Sequence, residues 1–104
     1  MGALRIDFPT QLPLEEKKAR LQALGEYLGT RHGIRVTWSG DTADVKGKYL
    51  VVSVEGKLWF EPGKAIFEGK DPGFLWRGKA KDYLEGKLRT YLDPGTKLED
   101  LKRS

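Results

Sequence analysis

The sequence predicts a two-layer α+β sandwich, in which an antiparallel meander sheet carries two long helices on one of its faces. Two observations favour this fold class. Short β-type runs separated by glycine-containing turns fill residues 47–69, and segments with helical periodicity lie on both sides of this block. Because tight turns join neighbouring strands in antiparallel order, we expect the element order β-α-β-β-β-β-β-α.

The hydrophobic period changes after Pro9 from that of a strand to that of a helix. Leu4, Ile6 and Phe8 alternate with charged residues, which predicts a half-buried first strand. A helix is then expected from Leu14 onwards, with an inner stripe made of Leu14, Leu21, Leu24 and Leu28. Its charged residues are expected to point outward: Glu15, Glu16, Lys17, Lys18 and Arg20. Gly29 or Gly33 is expected to end it.

Two further strands follow the first helix. The alternation of Ile34, Val36 and Trp38 with polar residues predicts the second strand. A turn at Ser39-Gly40-Asp41 then leads into a short third strand around Ala43 and Val45.

Three more strands are predicted from the turns that separate them. A loop at Glu55-Gly56-Lys57 would place Val54 opposite Leu58, and a Pro62-Gly63 turn would place Phe60 opposite Ala65 and Leu58 opposite Phe67. We interpret the glycines of this region as turn residues: Gly40, Gly47 and Gly56.

Apolar side chains occur on both parities of this meander. One set is expected to face the helices: Leu50, Val52, Val54, Leu58, Phe60, Ala65 and Phe67. The other set is expected on the outer face: Tyr49, Val51, Trp59 and Ile66. Because exposed apolar patches commonly mark interaction sites, our leading hypothesis is that these four residues bind a protein partner or a second copy of the chain as a homodimer. The alternative is that the C-terminal tail covers them through Leu98 and Leu101.

A second long helix is predicted after Asp71-Pro72, which suit an N-cap and a first-turn proline. Its apolar stripe consists of Trp76, Ala80, Tyr83, Leu84, Leu88 and Tyr91. Gly78 and Gly86 interrupt the helix and indicate either close approach of another backbone or a tolerated weakness, and we favour the second interpretation. A capping-box pattern from Thr96 to Glu99 predicts the short tail.

The composition of the chain excludes several classes of function but does not identify one. A chain of 104 residues without a linker or a repeat predicts a single domain at 1–104, with its core at about 4–93 and the tail at 96–103. It has no cysteine and one histidine, His32, which excludes thiolate chemistry and a zinc site with several His or Cys ligands in one chain. His32 lies in an Arg-His-Gly segment and is expected to be an exposed loop residue.

The sequence offers no pair of a nucleophile and a general base. We therefore expect a protein that is not an enzyme and that uses no cofactor and no metal. No apolar run approaches the length of a membrane span and the N-terminus lacks the pattern of a signal peptide, so a cytoplasmic location is expected.

Two other functions remain open. A small hydrophobic ligand or an acyl chain could bind between the last helix and the sheet, near Trp38, Phe67 and Trp76. Nucleic acid could bind the basic side chains of that helix, which are Arg77, Lys79, Lys81, Lys87 and Arg89. The sheet lacks the aromatic string of an RNA-recognition motif, and this argues against nucleic acid as the partner.

Several short motifs, taken in order, resemble a bacterial family. They are Leu4-Arg5-Ile6, Leu14-Glu15-Glu16-Lys17-Lys18-Ala19, Gly33-Ile34 and above all Trp38-Ser39-Gly40-Asp41. Together with a C-terminal helix ending at Leu92-Asp93, they are similar to the small polyhydroxyalkanoic acid system proteins, also called granule-region proteins. The resemblance covers roughly residues 4–93. It implies a cytoplasmic accessory role linked to polyester storage granules, and it implies no reaction.

Overall fold

The computed structural model describes residues 3–49 and 52–104 and confirms the α+β fold class. The elements are β1 (Ala3–Pro9), α1 (Leu14–His32), β2 (Arg35–Ser39), β3 (Thr42–Tyr49), β4 (Val52–Glu61), β5 (Lys64–Lys70), α2 (Phe74–Tyr91) and a short 3-10 turn at Leu98–Asp100. The five strands form one antiparallel sheet in the order β1-β5-β4-β3-β2. The first strand therefore closes one edge of the sheet beside the last.

One hydrophobic core lies between the sheet and the two helices. From the sheet it takes side chains such as Ile6, Leu58 and Phe67, and from the helices Leu24 and Leu88. These strand residues stand in register across neighbouring strands, because Ile6 pairs with Phe67 and Phe67 with Leu58. No helix in the described part of the chain combines the length and the apolar character needed to cross a membrane.

Residues 3–49 and 52–104 form five strands rather than the predicted six, because β4 runs without a break through residues 55–57. The predicted pairing of Val54 with Leu58 was therefore wrong: both lie on β4 and point to the same face. The Pro62-Gly63 turn was predicted correctly, since Phe60 pairs with Ala65 and Leu58 with Phe67.

Two of the three glycines that were interpreted as turn residues lie inside strands. Gly40 does lie in a turn, with φ of 61°. Gly56 pairs with Gly69 across β4 and β5, and a Cβ on Gly56 would stand 2.7 Å from Cζ of Phe67 and 2.8 Å from Cα of Gly69. A Cβ on Gly47 would meet the backbone of the residue that precedes β2. These two positions need glycine because other atoms approach closely, not because the chain turns there.

The predicted outward orientation of two charged α1 residues was also wrong. Lys17 and Arg20 are 5% and 2% exposed. The guanidinium of Arg20 donates to the carbonyl oxygens of Tyr91, Asp93 and Thr96, at 3.2, 2.9 and 2.6 Å. It also donates from Nε and Nη2 to the Glu16 carboxylate. Arg20 thus fastens α1 to the chain segment that follows α2.

The helix ends follow local backbone chemistry. Gly33, with φ of 70°, ends α1, and the Ile34 N–H bonds back to the Leu28 carbonyl. At the start of α2 the N-cap residue is Gly73 rather than the predicted Asp71. The Asp71 carboxylate instead accepts from the Gly73 N–H and from the guanidinium of Arg77.

The C-terminal tail packs on the helix layer and not on the outer face of the sheet. Leu101 is buried in the main core, and Leu98 packs against it. The Tyr91 hydroxyl donates to the Lys102 carbonyl, and Arg103 pairs with Glu26 of α1 at 2.9 Å. The expected capping box at Thr96 is not formed, since Lys97 precedes the turn and makes no side-chain cap.

Candidate ligand-binding cavity

A cavity of about 400 Å³ lies between the first half of α2 and the helix-facing side of the sheet. Its walls are mostly apolar. The lining residues are Leu4, Leu28, Ile34, Val45, Tyr49, Val52, Ser53, Val54, Glu55, Phe67, Lys70, Pro72, Trp76, Lys79, Ala80, Tyr83 and Leu84. The volume falls within the roughly 300–1,000 Å³ typical of small-molecule sites.

α2 is buried most deeply near its C-terminal end, and the cavity lies under its less deeply buried first part. Its buried residues, Leu88 and Tyr91, belong to its last two turns. Trp76 and Ala80, from the first two turns, are only half-buried. The stripe of α2 that was predicted to be core therefore changes along its length from cavity wall to packed core.

A cluster of aromatic rings lies at one end of the cavity. The single histidine is the last residue of α1 and is half-buried, so its expected position in an exposed loop was wrong. His32 Nε2 lies 3.0 Å from the Tyr83 hydroxyl. The His32 ring also meets Tyr49 edge to face, with centroids 4.8 Å apart. Tyr49 and Tyr83 line the cavity, and His32 stands behind them as the hydrogen-bond partner of Tyr83.

Cationic side chains reach the same cluster. Lys87 Nζ lies 4.5 Å from the ring centroid of Tyr27 and 5.6 Å from that of Tyr83. Its hydrogen bond to the Tyr27 hydroxyl lowers the pKa of Tyr27. Burial raises the pKa of Tyr83 to about 12, so the Tyr83 hydroxyl keeps its proton at neutral pH.

The opposite end of the cavity carries charged and exposed residues. Lys70 and Lys79 line it there, next to Pro72 and Trp76. Phe74 and Leu75 lie in the same first turn of α2 and are 79% and 73% exposed. A molecule with a long apolar part could enter past this end, which combines apolar and basic side chains.

The three residues predicted to bind a hydrophobic ligand are not all at the cavity. Phe67 and Trp76 line it, and Trp38 does not. Trp38 stacks on Phe60, with centroids 6.1 Å apart and ring planes at 14°. It borders a separate cleft of about 40 Å³ under α1.

The four residues predicted to bind a partner do not share one face. Tyr49 was misplaced: it ends β3 and pairs with Val52, which puts both side chains on the helix face. Val51 lies outside the described residues. Trp59 and Ile66 do form a cross-strand pair on the outer face.

The protein's own side chains cover that outer pair. Arg5 of β1 lies 5.9 Å from the Trp59 ring on β4, and since β5 runs between these strands, the contact passes over Ile66. Ile66 is fully buried and Trp59 is half-buried, with its indole N–H donated to Glu61. Partner binding through this face stays a prediction, with Trp59 as its anchor.

The basic residues of α2 are spread around the helix. At about 100° per residue, Arg77 and Lys81 lie on one side while Lys79 lies on the other. Arg77 is engaged by Asp71 at 2.6 Å, and Lys87 packs over tyrosine rings. Such an arrangement does not present a continuous basic face to nucleic acid. Within the described ranges, no three Asp, Glu or His side chains form a group that could hold a metal ion.

The fold and the cavity define a small two-layer α+β protein with a mostly apolar cavity between α2 and the sheet. Residues 4–95 match the family described as "putative polyhydroxyalkanoic acid system protein", and the chain belongs to this family. The resemblance seen in the motifs is thereby confirmed. No curated protein and no solved structure matches the chain.

Proposed function

We propose that this protein is a non-enzymatic accessory protein that binds an aliphatic chain in the cavity between α2 and the sheet. The observation that carries this proposal is the cavity itself: about 400 Å³, lined by apolar side chains, in a protein of 104 residues. A void of this size is costly in a small domain, because its walls lose the contacts that a packed core would make. A bound apolar molecule would restore them.

The shape of the cavity suits an extended chain. It follows α2 from Trp76 through Ala80 to Leu84, two turns of helix, and continues to Pro72 before the helix begins. At 1.5 Å per residue the helical stretch from 76 to 84 spans roughly 12 Å, and the part of the cavity at Pro72 extends beyond it. The family description names polyhydroxyalkanoic acid, which is an aliphatic polyester, so the chemistry of the cavity fits the family's name.

Filling the cavity should abolish binding. Ala80 lies at the centre of the α2 wall, and an Ala80→Trp substitution would occupy the space that the ligand needs. With dansyl-undecanoic acid as a fluorescent probe, we expect saturable binding by the natural protein and an affinity at least about tenfold lower for Ala80→Trp. Titration of probe fluorescence measures both.

The matched control is Lys81→Trp, which adds the same side chain one residue away at an exposed position outside the cavity wall. It should bind the probe within about twofold of the natural protein. Equal unfolding midpoints of the two variants would show that both are folded. Absence of saturable binding by the natural protein, or equal binding by Ala80→Trp, would refute the proposed function.

A further inference from the structure

The hydrogen bond between His32 and Tyr83 uses only part of the hydrogen-bonding capacity of the Tyr83 hydroxyl. The remaining capacity is available to a ligand in the cavity. A tyrosine hydroxyl has one proton and two lone pairs, whereas a histidine ring nitrogen either donates or accepts. At 3.0 Å, one of the two groups must donate to the other. If His32 Nε2 donates, the Tyr83 proton is free for an acceptor in the cavity.

The surrounding charges favour an acceptor at this place. Lys87 Nζ lies 5.6 Å from the centroid of the Tyr83 ring, and the guanidinium of Arg31 lies 5.9 Å from that of Tyr27. Positive charges attract the negative end of a carbonyl dipole and repel the positive end of a hydroxyl dipole. Because Tyr83 is a neutral, protonated phenol at physiological pH, it can donate to such an oxygen.

Most of the cavity wall that Tyr83 belongs to is apolar. Leu28, Ile34 and Val54 line the cavity together with Tyr49 and Tyr83. A polar ligand atom in such surroundings is costly unless it finds a hydrogen bond, so one well-placed donor can decide which ligands are accepted.

We infer that Tyr83, held by His32, is the polar anchor of the cavity and selects aliphatic ligands that carry a carbonyl oxygen, as esters or carboxylic acids do. His32 acts through Tyr83 and is a positioning residue. This inference rests on the proposed function and adds the chemical class of the ligand to it.

The experiment compares two ligands of similar length, methyl decanoate and undecane, by displacement of dansyl-undecanoic acid. The natural protein should prefer the ester by about tenfold, which is the effect of one hydrogen bond in an apolar site. Tyr83→Phe keeps the ring and removes the hydroxyl. It should bind undecane as the natural protein does and lose its preference for the ester.

The role of His32 is tested by two variants. His32→Gln retains a side-chain amide that can donate to Tyr83 and should keep most of the preference, whereas His32→Ala should lose it. A purely structural role of His32 would change the affinity for both ligands equally and leave the preference intact.

Esters and carboxylates share the carbonyl but differ in charge, so decanoate is included as a third ligand. If the basic residues at the other end hold a carboxylate, Lys79→Met weakens decanoate and leaves methyl decanoate unchanged.

The outcomes separate the two proposals. Equal binding of ester and hydrocarbon by the natural protein overturns the anchor while the proposed function stands. An unchanged preference in Tyr83→Phe overturns it as well. Absence of displacement by any of the ligands overturns both.

Discussion

Replacing Arg20 with alanine should lower the free energy of unfolding by about 3–5 kcal/mol, the cost typical of removing one member of a buried charged network. The side chain is 3% exposed, and its five N–H groups make hydrogen bonds to the Glu16 carboxylate and to three backbone carbonyls. Without Arg20, the carbonyls of Tyr91, Asp93 and Thr96 would lose these hydrogen bonds. Urea unfolding monitored by tryptophan fluorescence measures the loss.

Two companion variants make this prediction specific. Arg20→Lys keeps the charge but has three donors instead of a planar fork, so it should lose about 2 kcal/mol and weaken the attachment of the tail. In this variant, amide exchange in residues 93–102 should speed up more than exchange in the sheet. Arg35→Ala removes an exposed arginine and should change the stability by about 0.5 kcal/mol or less. Equal midpoints for Arg20→Ala and Arg35→Ala would contradict this account.

The burial of Lys17 could have been predicted from helical spacing. Lys17, Leu21, Leu24 and Leu28 are four, three and four residues apart, so the spacing alone places Lys17 on the inner stripe. His32 follows Leu28 by four residues, so the same spacing places His32 on the inner stripe as well. Charge alone predicts an outward position, but long basic side chains can lie along a core and donate to carbonyls at its edge.

The sheet was predicted correctly where the turn sequence has one interpretation and wrongly where it has two. Proline fixes its own φ and glycine accepts positive φ, so Pro62-Gly63 has one dominant interpretation and its register followed correctly. Glu55-Gly56-Lys57 is equally compatible with a loop and with a strand that another chain segment approaches closely. The aromatic ring that requires Gly56 lies on β5, and no local pattern indicates such a contact.

Tyr49 was predicted on the wrong face because it was expected to share one strand with Val52, whereas the two residues belong to different strands, β3 and β4, and pair with each other. Because side chains alternate along a strand, a single shift in the position of a turn exchanges the two faces. The cavity could be predicted only in part, from Phe67 and Trp76. Its tyrosine-histidine end depends on contacts between α1, β3 and α2, which lie far apart in the sequence.

Replacing Gly56 with alanine should destabilise the protein by about 3 kcal/mol, in the upper part of the range for overpacking a core. The added Cβ would stand 2.7 Å from Cζ of Phe67, 2.8 Å from the Glu68 carbonyl oxygen and 2.8 Å from Cα of Gly69. Two of these three atoms belong to the backbone of β5, so rotation of the Phe67 ring cannot relieve the conflict. The strands would have to move apart, which weakens their hydrogen bonds.

Replacing Gly78 with alanine should stabilise the protein, in contrast to the same replacement at Gly56. Apart from the adjoining residues and backbone of α2 itself, no atom of the described residues lies within 4 Å of a Cβ built at Gly78, so alanine should stabilise the helix by about 0.5–1 kcal/mol. This expectation follows the interpretation of the mid-helix glycines as a tolerated weakness. Thermal unfolding of both variants beside the natural protein measures the two shifts.

A double variant separates the ring from the backbone as the cause of the Gly56 effect. In Gly56→Ala combined with Phe67→Leu, the ring atom nearest to the new Cβ is gone, while the Glu68 and Gly69 backbone atoms remain. Relative to Phe67→Leu alone, Gly56→Ala should therefore still cost most of its original energy. If the cost disappears in the leucine background, the Phe67 ring is the only obstacle, and the close approach of β4 to β5 does not explain why this position is glycine.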